Sequence, residues 1–179
     1  MIELEYINNL EEFLLQKRDI LKSFIGRRLT ESWVIWDCED NEWFTDGPIV
    51  LNFENKHLTF CANKFEELAV DENSFDFNKK PTVGWADFDL EWRKNCLSVL
   101  NSQLGEKLIK IYATEFAFRG TVLENKQNPK IVGEEIIDWY LSGLDFEFPT
   151  NSVSLYNALD QNGVSMYQGL SEDCVFRRR

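Results

Sequence analysis

Near the start of the chain, apolar residues recur with the spacing of an α-helix. Between Leu10 and Ile25 they fall on one stripe with a period of 3.6 residues, which predicts an amphipathic helix. Asn8 or Asn9 can cap the first turn of this helix. Gly26 can supply the left-handed residue that ends it. The helix therefore has both a start signal and a stop signal.

After this helix the pattern changes to a period of two, which is typical of β-strands. Residues 33–36 alternate in this way and lead into an acidic turn at residues 37–42, so a hairpin is predicted there. Two further strands are predicted at residues 49–53 and 57–61. Residues 63–91 have acidic side chains and isolated aromatics without a clear period, and most of them are predicted to be irregular.

A second helix is predicted at residues 90–104, because apolar side chains lie on one side of it and Gly105 stands at its end. A strand at residues 107–112, extending to residue 118, follows it directly. Further strands are predicted at residues 131–141, beyond a polar loop.

The last part of the chain predicts a hairpin from residues 144–148 and 153–156. Asn162 and Gly163 suit a tight turn with positive φ. Residues 171–179 end in three arginines, and we expect them to be a frayed basic tail.

These elements predict an α+β fold, with antiparallel β-meanders and two amphipathic helices around the core of one compact domain at residues 1–170. A weak internal repeat is visible. In each half a helix is followed by a glycine, two charged residues, a leucine and a strand, with Gly26 in the first half and Gly105 in the second. Pseudo-repeats at residues 8–62 and 90–167, connected by 63–89, would explain this. The alternative is that any two helix-then-meander units share such a pattern.

Composition supports a folded, acidic protein. Of the 179 residues, 44% are hydrophobic and 14% aromatic, which is enough apolar surface for a core. The net charge is −12. Most of the negative excess lies in residues 32–92, which carry 14 acidic and 4 basic side chains. Such a charge disfavours nucleic acid, whose binding depends on Lys and Arg, and it favours a basic protein as partner. A solvated acidic surface without a partner is the plainer alternative.

Few residues are suited to metal or covalent chemistry. The four cysteines are widely spaced and His57 is the only histidine, so we expect no zinc site, no metal and no cofactor. Cys61 is predicted to be a small core residue, and His57 to be exposed near a hairpin tip. The N-terminal residues lack the features of a signal peptide, and no apolar run is long enough for a membrane span, so we expect a cytoplasmic protein with no membrane contact.

No catalytic residue is assigned from the sequence, because it contains none of the hydrolase, phosphate-loop or metalloprotease motifs. The acidic turn resembles a calcium loop only in part, since Glu42 and Pro48 occupy its decisive positions. An alternative function is an enzyme or small-ligand binder with an aromatic, carboxylate-lined pocket between the two halves. Its residues would be Trp85, Asp87, Asp89 and Glu91. The plainer interpretation of these carboxylates is one solvated face.

The six tryptophans include three that lie close to the acidic turn. Residues three apart in a strand point to opposite faces, so Trp33 or Trp36 is expected to lie outside the core. Aromatic side chains beside carboxylates suit recognition of a cationic protein, although ordinary core aromatics beside a charged turn would give the same composition. The predicted partner-binding residues are Trp33, Trp36, Asp37, Glu39, Asp40, Glu42 and Trp43.

Three stretches carry a family resemblance. They are Trp36-Asp37 with Trp43-Phe44-x-Asp46-Gly47-Pro48-Ile49, Asp89-Leu90-x-Trp92-x-x-Asn95, and Asn157-Ala158-Leu159-Asp160-x-Asn162-Gly163. Over most of its length the chain resembles small acidic bacterial proteins that are similar to immunity proteins encoded beside secreted toxins. The resemblance implies inhibition of a basic toxin, and it implies no catalytic residues. A subunit of a homo-oligomer is a third alternative.

Overall fold

The computed structural model describes residues 4–64, 66–72, 75–83, 87–123, 131–166 and 176–178. Within these residues there are two helices and eleven strands. The helices are α1 (Leu10–Lys22) and α2 (Ser98–Asn101). The strands are β1 (Leu29–Asp37), β2 (Glu42–Trp43), β3 (Ile49–Phe53), β4 (Lys56–Asn63), β5 (Glu67–Glu72), β6 (Leu90–Lys94), β7 (Lys110–Leu123), β8 (Ile131–Glu147), β9 (Ser152–Asn157), β10 (Asn162–Met166) and β11 (Phe176–Arg178).

The strands form two antiparallel sheets, which confirms the predicted α+β class. In the first sheet the order is β2-β1-β3-β4-β5, and β6 pairs with β1. In the second sheet the order is β10-β9-β8-β7-β11. Strands β7–β10 form a simple meander, whereas in the first sheet β1 pairs with both β2 and β3. In each sheet a later strand, β6 or β11, returns to pair with the first strand, β1 or β7.

Helix α1 begins where the sequence predicts, but it ends at Lys22 with Ser23 as its C-cap, before the predicted stop at Gly26. The side-chain oxygen of Asn9 accepts a hydrogen bond from the Glu12 amide at 3.0 Å, and Gly26 has a φ of +87°. Lys17 lies on the buried side of the helix, where its ammonium is 3.7 Å from the carboxylate of Asp71 on β5. The buried stripe of this helix therefore includes one charged residue that is paired with the first sheet.

One hydrophobic core joins both sheets and α1. It contains residues from the inner faces of both sheets, and burial of each large apolar side chain contributes roughly 1.5–3 kcal/mol. The largest of these side chains include Phe13 from α1, Phe53 and Phe60 from the first sheet, and Phe146 from the second.

The segments that follow the two helices make equivalent contacts with each other. The Gly26 amide donates to the Leu108 carbonyl at 2.8 Å, and the Gly105 amide donates to the Leu29 carbonyl at 2.7 Å. Both glycines have positive φ, at +87° and +84°. This reciprocity is what the predicted pseudo-repeats would require, while their origin by duplication stays a prediction.

Residues 90–104 do not form the helix that the sequence predicts. Leu90–Lys94 pairs with β1 as strand β6, and only Ser98–Asn101 is helical. Between them Asn95 has a φ of +52°, and its side-chain oxygen accepts a hydrogen bond from the Ser32 amide at 2.8 Å. The apolar spacing fits a helix, but pairing with the open edge of β1 determines the local structure.

Two segments that were expected to be irregular contain strands. Within residues 63–91, Glu67–Glu72 pairs with β4 as β5. In the C-terminal tail, Phe176–Arg178 pairs with residues 114–116 of β7, so the prediction of a frayed tail is wrong for these three residues. Residues 171–175 and Arg179 lie outside the described residues.

The prediction of a tight turn at Asn162 and Gly163 is also wrong. The positive φ angles belong to Leu159, at +60°, and Asp160, at +76°, and the turn is closed before Asn162 begins β10. The turn therefore precedes the Asn-Gly pair.

Asn162 instead connects the second sheet to the first. Its side chain is only 2% exposed. The side-chain oxygen accepts a hydrogen bond from the Ala62 amide at 2.7 Å, and the side-chain nitrogen donates to the carbonyls of Thr45 and Gly47 at 2.7 and 2.8 Å. These bonds fix the turn after β9 against the β2–β3 connection.

Candidate functional site

The pairing of β6 with β1 brings two acidic stretches of the sequence side by side. Trp36 lies opposite Glu91, and the Cys38 amide donates to the Asp89 carbonyl at 2.8 Å. The acidic turn after β1 therefore adjoins the segment that leads into β6. We call this surface, residues 37–42 and 87–91, the acidic edge.

Asp37 has a structural role within the acidic edge. It is 7% exposed, and one carboxylate oxygen accepts hydrogen bonds from the amides of Glu39 and Asp40, at 2.8 and 3.2 Å. Asn41 completes the turn with a φ of +53°. This geometry turns Glu39, Asp40 and the following Glu42 toward solvent.

Most of the charge on the acidic edge is uncompensated. Asp89 pairs with Lys80 at 2.6 Å, and Glu91 pairs with Arg93 at 2.6 Å. The other exposed carboxylates make no ion pair with any described residue; they are Glu39, Asp40, Glu42 and Asp87. The surface therefore presents a negative field.

The charges of the acidic edge also affect the pKa of the Cys38 thiol. Desolvation, followed by the charges of Glu91 and Asp89, raises the pKa of Cys38 above its ordinary value. The thiol is consequently protonated at neutral pH, and it is not an activated nucleophile.

The three predicted tryptophans do not share one surface. Trp33 lies on the outer face of the first sheet, where its ring stacks on Phe77 at 4.2 Å between centroids. Trp43 packs against the hydrophobic core. Trp36 is half-buried at the acidic edge, with the Arg93 guanidinium 4.4 Å from the centroid of its ring. Of the three, only Trp36 lies beside the exposed carboxylates.

The outer face of the first sheet is covered by a segment that we call the strap, residues 75–83. The rings of Phe75 and Phe77 each lie 5.3 Å from the Trp92 ring, measured between centroids. The Phe77 and His57 ring centroids are 5.6 Å apart. The strap backbone makes no hydrogen bond to any described residue outside the strap. Aromatic contacts, together with the Lys80–Asp89 ion pair, therefore hold it in place.

His57 is not the exposed residue that the sequence predicts. It does point away from the core, but the strap covers it, and its Nδ1 atom is buried without a hydrogen-bond partner among the described residues. Cys61 is buried, as predicted, although it faces the outer side of the sheet, where it accepts a hydrogen bond from the Tyr6 hydroxyl at 3.4 Å.

The alternative pocket residues do not line one common cavity. Asp89 and Glu91 line a shallow depression of about 420 Å³, which Trp92 also lines. Asp87 is exposed and lines neither this depression nor the larger cleft. Trp85 lies outside the described residues.

A larger cleft, of about 1190 Å³, lies beside the strap, and sequence reasoning did not find it. Its carboxylates include Asp46 and Asp160, and its aromatic walls include Tyr6 and Trp92. Asp46 and Asp160 are far apart in the sequence, and hydrogen bonds of Asn162 to Thr45 and Gly47 bring their loops together. No local signal in the sequence indicates this pair.

Two kinds of site are not found in the described part of the chain. No group of three or more His, Cys, Asp or Glu side chains is placed to hold a metal ion. None of the described helices has the length and apolar character that a membrane crossing requires.

Comparisons of the chain with protein-family models, with curated proteins and with solved structures gave no match.

Proposed function

We propose that this protein is a non-enzymatic binding module that recognises a basic protein through its acidic edge. The observation that carries the proposal is the pairing of β6 with β1, which places residues 37–42 beside residues 87–91. The resemblance to immunity proteins extends the proposal: the partner is a basic toxin, for example of the nuclease type, and the acidic edge masks its cationic surface.

The electrostatics of the acidic edge support this function. Exposed carboxylates without a cation attract a positively charged partner over a distance of about one Debye length, near 8 Å at physiological salt. Such attraction raises association rates more than it raises affinity. Glu39, Asp40 and Glu42 are exposed on one turn, so they approach a partner without first breaking an ion pair.

The aromatic neighbour of this surface supports protein binding as well. Trp36 is half-buried under Arg93, and its indole nitrogen donates to the Asn41 side chain at 3.3 Å. Tryptophan and arginine are the residue types most enriched at binding hot spots. The stacked side chains of Trp36 and Arg93 therefore provide an ordered, partly apolar contact surface at the border of the acidic edge.

Affinity capture from a lysate of the source cells tests the proposal. The bait is the full chain, either wild type or with Glu39→Gln, Asp40→Asn and Glu42→Gln combined. The matched control combines Glu11→Gln, Asp19→Asn and Glu135→Gln, which neutralise three exposed carboxylates elsewhere. Capture is run at about 50 mM and about 500 mM NaCl, which span strong and weak charge interaction.

We expect one basic protein to be retained by the wild type and by the control at low salt. Retention by the acidic-edge variant should fall about tenfold, because each of three peripheral charges contributes up to about 1 kcal/mol. The absence of any specific partner at either salt concentration, or equal retention by the edge variant and the wild type, would contradict the proposal.

A further inference from the structure

The cleft beside the strap is built from both halves of the chain. The β2–β3 connection supplies Asp46, the end of β4 supplies Cys61, and the turn after β9 supplies Asp160. Tyr6 and Trp92 form aromatic walls. Its volume of about 1190 Å³ is large enough for a small organic molecule or a protruding side chain.

The two loops that carry the aspartates are joined by buried hydrogen bonds. Asn162 donates to the carbonyls of Thr45 and Gly47, the residues on either side of Asp46. Asn162 also directly follows the turn that contains Asp160, whose φ is +76°. Asn162, which is 2% exposed, therefore fixes the loop that carries Asp46 beside the turn that contains Asp160, and both aspartates are exposed on these loops.

The lysines around the cleft have ion-pair partners, whereas two of its aspartates have none among the described residues. Each lysine at its rim has a carboxylate partner: Lys64 pairs with Glu67 at 3.0 Å, Lys79 with Asp76 at 3.6 Å, and Lys80 with Asp89 at 2.6 Å. Asp46 and Asp160 have no cationic partner among the described residues. The unpaired charge in the cleft is therefore negative.

We propose that this cleft binds a compact organic cation, an amine or a guanidinium on an apolar stem, through Asp46 and Asp160. Charge-assisted hydrogen bonds to carboxylates are the strongest that a protein offers to such a group. The rings of Tyr6 and Trp92 suit the apolar stem and attract a cation by their quadrupoles.

The titration behaviour of the site agrees with this assignment. Desolvation, followed by the charge of Asp160, raises the pKa of Asp46. A cation beside Asp46 favours its charged form, whereas a neutral or anionic ligand does not.

The cation has two sources: a free small molecule, or a Lys or Arg side chain of the basic partner. The first experiment addresses the site itself. n-Butylguanidinium is titrated into the full-length ¹⁵N-labelled protein, and the amide signals of Cys61, Ala62 and Asn63 at the end of β4 are followed. The neutral n-butylurea is the matched probe. The variants are Asp46→Asn and Asp160→Asn, with Asp19→Asn on α1 as the charge-matched control.

We expect saturable shifts with n-butylguanidinium and at least about tenfold weaker binding of n-butylurea. Asp46→Asn and Asp160→Asn should each weaken binding of the cation about tenfold, and Asp19→Asn should leave it unchanged. Both substitutions replace carboxylates that make no ion pair with described residues, so each variant is expected to fold. The absence of saturable shifts in the wild type, or unchanged affinity in both cleft variants, would overturn the proposal.

Competition then distinguishes the two sources. Displacement of a captured basic partner by n-butylguanidinium assigns the cation to a side chain of that partner, and binding without displacement assigns it to a free small molecule. The combined Glu39, Asp40 and Glu42 variant should bind the probe as the wild type does. Failure of the acidic-edge proposal is therefore distinguishable from failure of the cleft proposal.

Discussion

Replacement of Asn162 by alanine should destabilise the whole protein, because this residue joins the two sheets. The substitution removes three side-chain hydrogen bonds, to the Ala62 amide and to the carbonyls of Thr45 and Gly47. All three partners are more than 90 residues away in the sequence. The predicted loss is therefore in tertiary structure and not in the local strand.

The magnitude follows from the number and burial of these bonds. Three hydrogen bonds contribute about 1 kcal/mol each, and the Ala62 amide, left buried without a partner, adds a further cost of about 1–2 kcal/mol. The total is a loss of about 4–5 kcal/mol, a large part of the roughly 5–15 kcal/mol by which folded domains are stable. With an m-value of about 2 kcal/mol/M, the urea midpoint should fall on the order of 2 M.

Urea unfolding, followed by circular dichroism, measures this effect. The matched control is Asn151→Ala, which truncates an exposed asparagine of the β8–β9 turn and should change stability by less than about 0.5 kcal/mol. A loss below about 1 kcal/mol for Asn162→Ala would refute the inference that these bonds join the two halves.

Three further predictions concern other parts of the fold. Gly143→Ala should cost about 1–3 kcal/mol in chemical unfolding, because its Cβ would clash with the Leu155 carbonyl oxygen. At Gly133 an added Cβ meets no described atom within 4 Å, so Gly133→Ala should be neutral. The pKa of Asp46 is raised in the folded state, so the contribution of this residue to stability falls as the pH rises above its unfolded-state pKa near 3.9. Asp46→Asn should therefore raise the melting temperature at pH 7, and this gain should vanish near pH 3. Phe77→Ala removes the stacking on Trp33 that holds the strap. Tryptic cleavage after Lys79 should then accelerate about tenfold, with a much smaller change in the urea midpoint. Unchanged cleavage would contradict this role.

The parts of the fold with local signals could be predicted from the sequence. Helix α1 has the predicted asparagine cap at Asn9, and Gly26 has the predicted positive φ, although the helix already ends at Lys22. The β1–β2 hairpin, with Trp36 opposite Trp43, follows from the change to a period of two and the acidic turn. In each case the determining interactions lie within a few residues of one another.

The failures have a common physical cause, which is pairing between distant segments. Residues 90–94 carry apolar side chains that satisfy a helical period, but the open edge of β1 fixes them as β6. The Asn162–Gly163 pair has the composition of a turn, but the buried partners of Asn162 place it in a strand. Propensity scales describe single residues and do not include contacts with residues that are distant in the sequence.

The same distinction applies to the candidate sites. The exposed carboxylates of the acidic turn could be predicted, because a charged turn between two strands faces solvent. Their proximity to Asp89 and Glu91 depends on the β1–β6 pairing. The neighbouring carboxylates of Asp46 and Asp160 depend on the buried contacts of Asn162 and could not be predicted.

The most direct test of binding at the acidic edge is the affinity of the captured basic partner for three forms of the protein at several salt concentrations. The forms are the wild type, the combined Glu39, Asp40 and Glu42 variant, and the control with equal charge change. Our account predicts about tenfold weaker binding by the edge variant alone, with a difference that shrinks as salt rises. Equal weakening in both variants would show that net charge acts without a specific surface, and it would contradict the account.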